Sequence, residues 1–126
     1  MARLIVLQHI EREGPGLFEK IALERSMNVN IFRLYLGEPI PNIYKDDLLL
    51  VMGGSMGVSD ISNNMYPWLL DEVNLLKNAL KNNIKIIGIC LGAQLLAYAA
   101  GGKVEPLSIG HRMKKKAEVG WGNVFF

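Results

Sequence analysis

The chain is poor in the residues that most often carry chemistry: one cysteine and two histidines in 126 residues. A single cysteine excludes an internal disulfide framework and fits a reducing compartment. Net charge is also scarce, at +2, too little to argue for nucleic acid or an anionic membrane. No apolar run approaches the length of a membrane-spanning helix. Leu4 to Leu7 is too short for a signal-peptide core and leads straight into polar residues, so the expected location is the cytoplasm. Internal repeats, low-complexity tracts and linkers are missing, and no metal-ligand or cofactor pattern is read from the sequence. What remains is an ordinary globular balance, 50% hydrophobic and 21% charged, in a length that suits one domain.

Along the chain, short apolar runs alternate with amphipathic stretches. Leu4 to Leu7 reads as a fully buried strand of the parallel type, and Gln8 to Gly16 as a polar loop closed by turn residues. Leu17 and Ile21, with Leu23 and Met27, suit the apolar side of a helix from about Gly16 to Ser26. Val29 to Leu34 reads as a second strand. Gly37 to Asn42 contains two prolines and cannot be regular structure. Leu48 to Met52 is a third strand, running into Gly53-Gly54-Ser55-Met56-Gly57. After a polar loop from Ser59 to Met65, Pro67 suits the first turn of a helix. Leu69, Val73, Leu76 and Leu80 then form one stripe of a helix that ends near Asn82-Asn83. Ile86 to Ile89 is a fourth buried strand, and Leu91 to Ala100 is a helix stopped by Gly101-Gly102. Val104 suggests a short strand, Pro106 to Lys116 a loop or hairpin, and Glu118 to Phe126 has strand-like composition. The pattern is α/β: a mostly parallel open sheet with right-handed crossovers and helices on both faces, of the flavodoxin-like kind. Ligands bind such sheets outside the carboxyl ends of the strands, where the loops after the first, third and fourth strands lie.

The fourth strand ends in Gly88-Ile89-Cys90-Leu91-Gly92, and a helical pattern follows at once. A cysteine between flanking glycines at a strand-to-helix switch fits a nucleophile elbow, which holds the side chain clear of the sheet. The unpaired N–H groups of the following helix would favour a developing negative charge. A buried structural thiol is the competing reading of Cys90. As a nucleophile, Cys90 would use the N–H of Leu91 for one oxyanion contact, and Gly53-Gly54 is the best source of the second. That glycine pair read alone is equally a tight turn; it lacks the spacing of a phosphate loop or dinucleotide fingerprint. Gln94, four residues after Cys90, lies on the same helix face and is placed to bind substrate or to cap a loop. A cysteine hydrolase needs a base, and neither histidine offers a clear one. His9 lies at the right edge, in a loop expected to contact substrate or solvent. His111 sits in a basic run read as a solvated loop.

Gly88-Ile89-Cys90-Leu91-Gly92-Ala93-Gln94, with Val51-Met52-Gly53-Gly54-Ser55-Met56 and Tyr66-Pro67-Trp68-Leu69, resembles a class I glutamine amidotransferase. The branch it is most similar to is the stand-alone proteins akin to the amidotransferase domain of GMP synthase. Gln8-His9, Glu13-Gly14-Pro15-Gly16 and Glu118-Val119-Gly120-Trp121 extend the resemblance over the whole chain. It implies that Cys90 attacks the side-chain amide of glutamine, that Gly54 and Leu91 supply the oxyanion N–H groups, and that Gln94 and Gly53 help hold the substrate. Glutamate and ammonia would leave through a thioester, without cofactor or metal, and the ammonia would pass to a separate protein such as a synthetase, or to solvent. Ser55 stands where that branch usually has proline. The family's His-x-Glu motif has no counterpart here. Residues 1–126 are therefore expected to be an incomplete domain, lacking its base, nearly inactive, and prone to self-association through an exposed sheet edge. A γ-glutamyl peptide hydrolase and a non-catalytic binding or regulatory fragment are the competing functions.

Overall fold

The structure is a computed structural model that describes residues 2–106, 108–109, 112–115 and 121–124. Four strands form one parallel sheet: β1 (Arg3–Gln8), β2 (Asn28–Arg33), β3 (Leu48–Val51) and β4 (Lys85–Gly88), in the order β2-β1-β3-β4. Leu4 stands opposite Val29 on one side and Leu48 on the other, and Leu48 opposite Lys85. Because successive strand residues face opposite ways, Ile5, Leu7, Leu49 and Val51 point to one face of the sheet and Leu4, Val6 and Leu50 to the other. This is the α/β architecture expected from the apolar runs, with one helix on one face and two on the other.

Helices α2 (Trp68–Lys81) and α3 (Leu91–Ala99) close the first face. Pro67 sits just before α2, where a missing N–H is harmless. Leu69, Val73 and Leu76 are buried as their spacing predicts, but Leu80 is part-exposed and Ala79 takes its place. At 3.6 residues per turn Leu80 lies within about 20° of Leu69 around the helix, so its exposure goes with its place in the last turn, next to the helix end at Lys81, and not with its angle. Helix α3 ends as its glycines predict: Gly101, at φ 91°, and Gly102 donate to the carbonyls of Tyr98 and Ala97.

The second face corrects the sequence reading. Helix α1 (Leu17–Glu24) buries only Ala22, whereas Leu17 is 70% exposed and Ile21 46%. The apolar stripe expected to dock on the sheet instead faces outward. Val29, Ile31, Ile87 and Ile89 on that face are only part-buried around Leu4, Val6 and Leu50. Periodicity identifies apolar positions, not how much of the sheet a helix of eight residues can reach.

Leu34–Leu36 is a 3₁₀ turn rather than the end of β2, and it buries Leu34. Ser108–Ile109 and Arg112–Lys115 pair antiparallel as β5 and β6, which gives the expected hairpin. Val104 is in no strand, and Trp121 to Val124 has no regular structure and is exposed. His111 and Glu118-Val119-Gly120 lie outside the described residues. No described helix is long and apolar enough to cross a membrane.

Candidate active site

The chain runs from β1 outward to β2, then returns to place β3 on the other side of β1. That reversal puts a crevice between the carboxyl ends of β1 and β3, the usual ligand position in open α/β sheets. The loop after β1 (His9 to Gly16), the loop after β3 (Gly53 to Gly57) and the turn after β4 (Ile89-Cys90) converge there. Main-chain bonds extend the sheet into these loops: Met52 N–H donates to the Leu7 carbonyl at 3.0 Å and Ile89 N–H to the Val51 carbonyl at 2.9 Å.

Cys90 occupies the turn between β4 and α3 at φ 53°, ψ −112°, a conformation that L residues rarely adopt. Its side chain is exposed and free, so the structural-thiol reading does not apply. The flanking glycines explain how the turn is held. A Cβ on Gly92 would run into the Val51 carbonyl, and one on Gly88 would lie 2.7 Å from the Gly92 carbonyl oxygen. Only without side chains at these two positions does α3 pack against β3 and β4 closely enough to present Cys90 at its first turn. Backbone strain of this kind costs of order 1–3 kcal/mol and is found where surrounding structure fixes it.

Gly53 and Gly54 stand against the elbow. The position of a Cβ on Gly53 lies 3.4 Å from Cys90 Cβ and 2.7 Å from Glu13 Oε2. On Gly54 it would lie 3.0 Å from Leu91 Cδ2 and 3.2 Å from His9 Cβ. Among the described residues, no acceptor takes the N–H of Gly54 or of Leu91. The structure thus brings together Cys90, Leu91, Gly53 and Gly54. Gln94 lies one turn along α3, with its N–H donating to the Cys90 carbonyl at 3.1 Å; it is exposed, so its amide needs no protein partner. Ser55 is exposed beside the buried Met56. A cleft of about 310 Å³ opens at the same edge, lined by Ile10, Glu11, Arg12 and Ser55.

His9 contradicts the expectation of contact with substrate or solvent. It is fully buried, with Nδ1 3.2 Å from the Gly53 carbonyl oxygen and Nε2 2.9 and 2.7 Å from the two carboxylate oxygens of Glu72. A carbonyl only accepts, so Nδ1 donates to Gly53. Burial alone would lower the His9 pKa, but the hydrogen bond and charge of Glu72, helped by the Gly53 carbonyl, outweigh it and raise the value above 6.5. His9 is therefore no free base for Cys90. It ties the glycine loop to α2, and sequence reasoning missed its partner. The available signal was a carboxylate at position 72, inside the apolar stripe of Leu69, Val73 and Leu76, where an unpaired charge is not tolerated.

At the opposite end of the sheet, Asp47 is buried and accepts two bonds from Arg3, at 2.9 and 2.6 Å, and one from the Tyr44 N–H at 2.7 Å. The Arg3 guanidinium holds the Asp47 carboxyl below the usual carboxylate range, against the opposing effect of its burial. This pair fastens the chain far from the elbow.

A parallel sheet, an exposed cysteine on a strained strand-to-helix turn and a facing glycine loop define an amidotransferase-like α/β protein. The glutamine amidotransferase class-I family matches residues 18–123, and the chain belongs to that family. A glutamine amidotransferase-like protein of Acanthamoeba polyphaga mimivirus is 32% identical over 86% of this chain and 49% of its own length. The carbamoyl phosphate synthase small chain of Thermotoga maritima is 48% identical over 44 residues, which are 35% of this chain and 11% of that protein. The crystal structure of a glutamine amidotransferase from Thermotoga maritima superposes with a TM-score of 0.72 at 32% identity, over 79% of this chain and 43% of that one. The chain spans about half the length of the mimivirus relative and of the superposed Thermotoga maritima structure.

Proposed function

We propose that this chain is the nucleophile-bearing part of a glutamine amidotransferase domain. Cys90 attacks the side-chain amide carbon of glutamine, ammonia leaves, and water hydrolyses the resulting thioester to glutamate. The observation that carries this reading is the elbow itself: an exposed cysteine at φ 53°, fixed by two glycines that cannot bear side chains. The N–H groups of Gly54 and Leu91 receive the oxyanion, and Gln94 and Gly53 line the substrate's approach. Such donors typically contribute about a hundred- to thousandfold in rate.

No described residue offers Cys90 a free imidazole, because both nitrogens of His9 are engaged. With only the described residues around Cys90, glutamine turnover is expected to be slow, since lack of a general base reduces rates by about a hundred- to ten-thousandfold. The likeness to a carbamoyl phosphate synthase small chain supports a separate synthetase as the ammonia acceptor. The part-buried isoleucines on the second sheet face and the edge of β4 support self-association. The expected setting is a reducing cytoplasm.

The test is covalent labelling with an electrophilic glutamine analogue, followed by adduct mapping. Labelling at Cys90, with free glutamine protecting, is expected. Adducts elsewhere and never at Cys90 would overturn the assignment.

A further inference from the structure

Glu13 stands against the glycine that faces the elbow. Its Oε2 and the Cβ of Cys90 crowd the same glycine: a Cβ on Gly53 would stand 2.7 Å from the first and 3.4 Å from the second. The carboxylate is held there by its loop. Gln8, almost fully buried at the end of β1, donates from Nε2 to the carbonyls of Ile10 at 2.9 Å and Glu11 at 3.1 Å. The Glu13 N–H donates to the Ile10 carbonyl at 3.3 Å, Pro15 is buried, and Gly14 stands against the Gln8 amide. Glu13 is itself part-buried. The ion pairs among described residues are Arg3–Asp47, His9–Glu72 and Lys103–Glu105, and Glu13 is in none of them.

We propose that Glu13 binds the α-ammonium group of the substrate amino acid and thereby sets the specificity of the Cys90 site for a free α-amine. A part-buried carboxylate beside the elbow, in none of the described ion pairs, is placed to take an ammonium ligand. The dimensions agree. From α-nitrogen to δ-carbon an extended glutamine spans about 5 Å at ordinary bond lengths, and a charge-assisted N–H···O contact adds about 2.7–2.9 Å. Glu13 Oε2 and Cys90 Cβ stand no more than about 6 Å apart by way of that shared position on Gly53, so a bent glutamine with its δ-carbon against the Cys90 sulfur brings its α-nitrogen to Glu13. Gly53 must lack a side chain because Glu13 and Cys90 already fill the space a Cβ would take. The inference rests on the proposed glutamine chemistry and adds its selectivity: peptides and amides with a blocked α-amine are poor ligands.

The experiment compares two chloroketones, each with the reactive group in place of the glutamine amide: one with a free α-amine, the other N-acetylated. Each rate of Cys90 alkylation is divided by that reagent's rate with mercaptoethanol, which removes intrinsic reactivity. Wild type is expected to favour the free amine by about ten- to hundredfold, the usual weight of a charge-assisted hydrogen bond. Glu13→Gln should bring the ratio to within a few-fold of unity with an unchanged urea midpoint. A ratio preserved in E13Q would overturn the proposal. Equal slowing of both reagents would also overturn it, and would make Glu13 a brace for the glycine loop. If wild-type Cys90 reacts with neither reagent faster than mercaptoethanol does, the glutamine reading fails and this inference with it.

Discussion

Replacing Glu72 by leucine and by glutamine isolates the contribution of the His9 pair. Glu72→Leu keeps volume on the inward side of α2 but leaves Nε2 of a fully buried imidazole without a partner. Breaking a buried pair by removing one member costs about 3–5 kcal/mol. A domain of this kind has roughly 5–15 kcal/mol in total. With a urea dependence of about 2 kcal/mol per molar, the midpoint should fall by roughly 2 M. Glu72→Gln is a different perturbation. A neutral imidazole can still donate from Nδ1 to the Gly53 carbonyl while Nε2 accepts from the new amide, so the loss near neutral pH should be about 1 kcal/mol. The pH dependence distinguishes the two arrangements. In the wild type the folded pair holds a proton that an unfolded histidine releases, because the His9 pKa is raised. Its stabilisation is complete below the ordinary value of 6.5 and is lost as pH rises through the folded value. The slope reaches at most about 1.4 kcal/mol per pH unit. In E72Q the buried imidazole is neutral, its pKa moves down, and stability should instead rise with pH as the unfolded histidine loses its proton. Urea titrations of both proteins from about pH 5.5 to 8 read these opposite slopes directly. Parallel curves would refute the buried, doubly donating imidazole.

Three further outcomes follow from the same geometry. Gly92→Ala should force α3 off β3, with a loss of about 2–3 kcal/mol or more and slower Cys90 labelling, as read by urea unfolding and mass spectrometry. Cys90→Gly should be more stable than Cys90→Ala by about 1 kcal/mol, because glycine adopts the positive φ without strain; equal midpoints would mean the turn relaxes. Asp47→Asn should destabilise by about 1–3 kcal/mol through its lost charge-assisted bonds to Arg3. Since the Asp47 pKa is lowered on folding, that contribution exists above the unfolded value and disappears as the pH falls through the folded one. The wild-type advantage over D47N should therefore vanish in acid.

Much of the architecture was legible because β1 and β3 are buried and β4 is part-buried, and all three appear as short apolar runs. The elbow was legible because both of its glycines stand within two residues of Cys90 at a strand-to-helix switch, although the contact that excludes a side chain at Gly92 is with Val51 on another strand. The His9–Glu72 pair was not, since its members lie 63 positions apart and neither residue states its partner. Glu13 was hidden for a related reason: a loop carries no periodicity, and only the fold places its carboxylate over Gly53. The outward stripe of α1 was misread because an amphipathic pattern says nothing about the area available beneath it. Leu80 shows the same limit at a smaller scale: its angle fits the stripe, but the pattern does not say what the last turn of the helix meets.

The strand order also governs when the sheet can assemble. Arg3–Gln8 is an interior strand, yet its two neighbours, Asn28–Arg33 and Leu48–Val51, follow it in the chain, and none of the four parallel strands meets its neighbour through a hairpin. During synthesis at about 5–20 residues per second, the first strand therefore waits several seconds before both its edges are covered. Every pairing in this sheet is a long-range closure, which slows folding. For those seconds, Leu4 to Leu7 is the most adhesive part of the nascent chain.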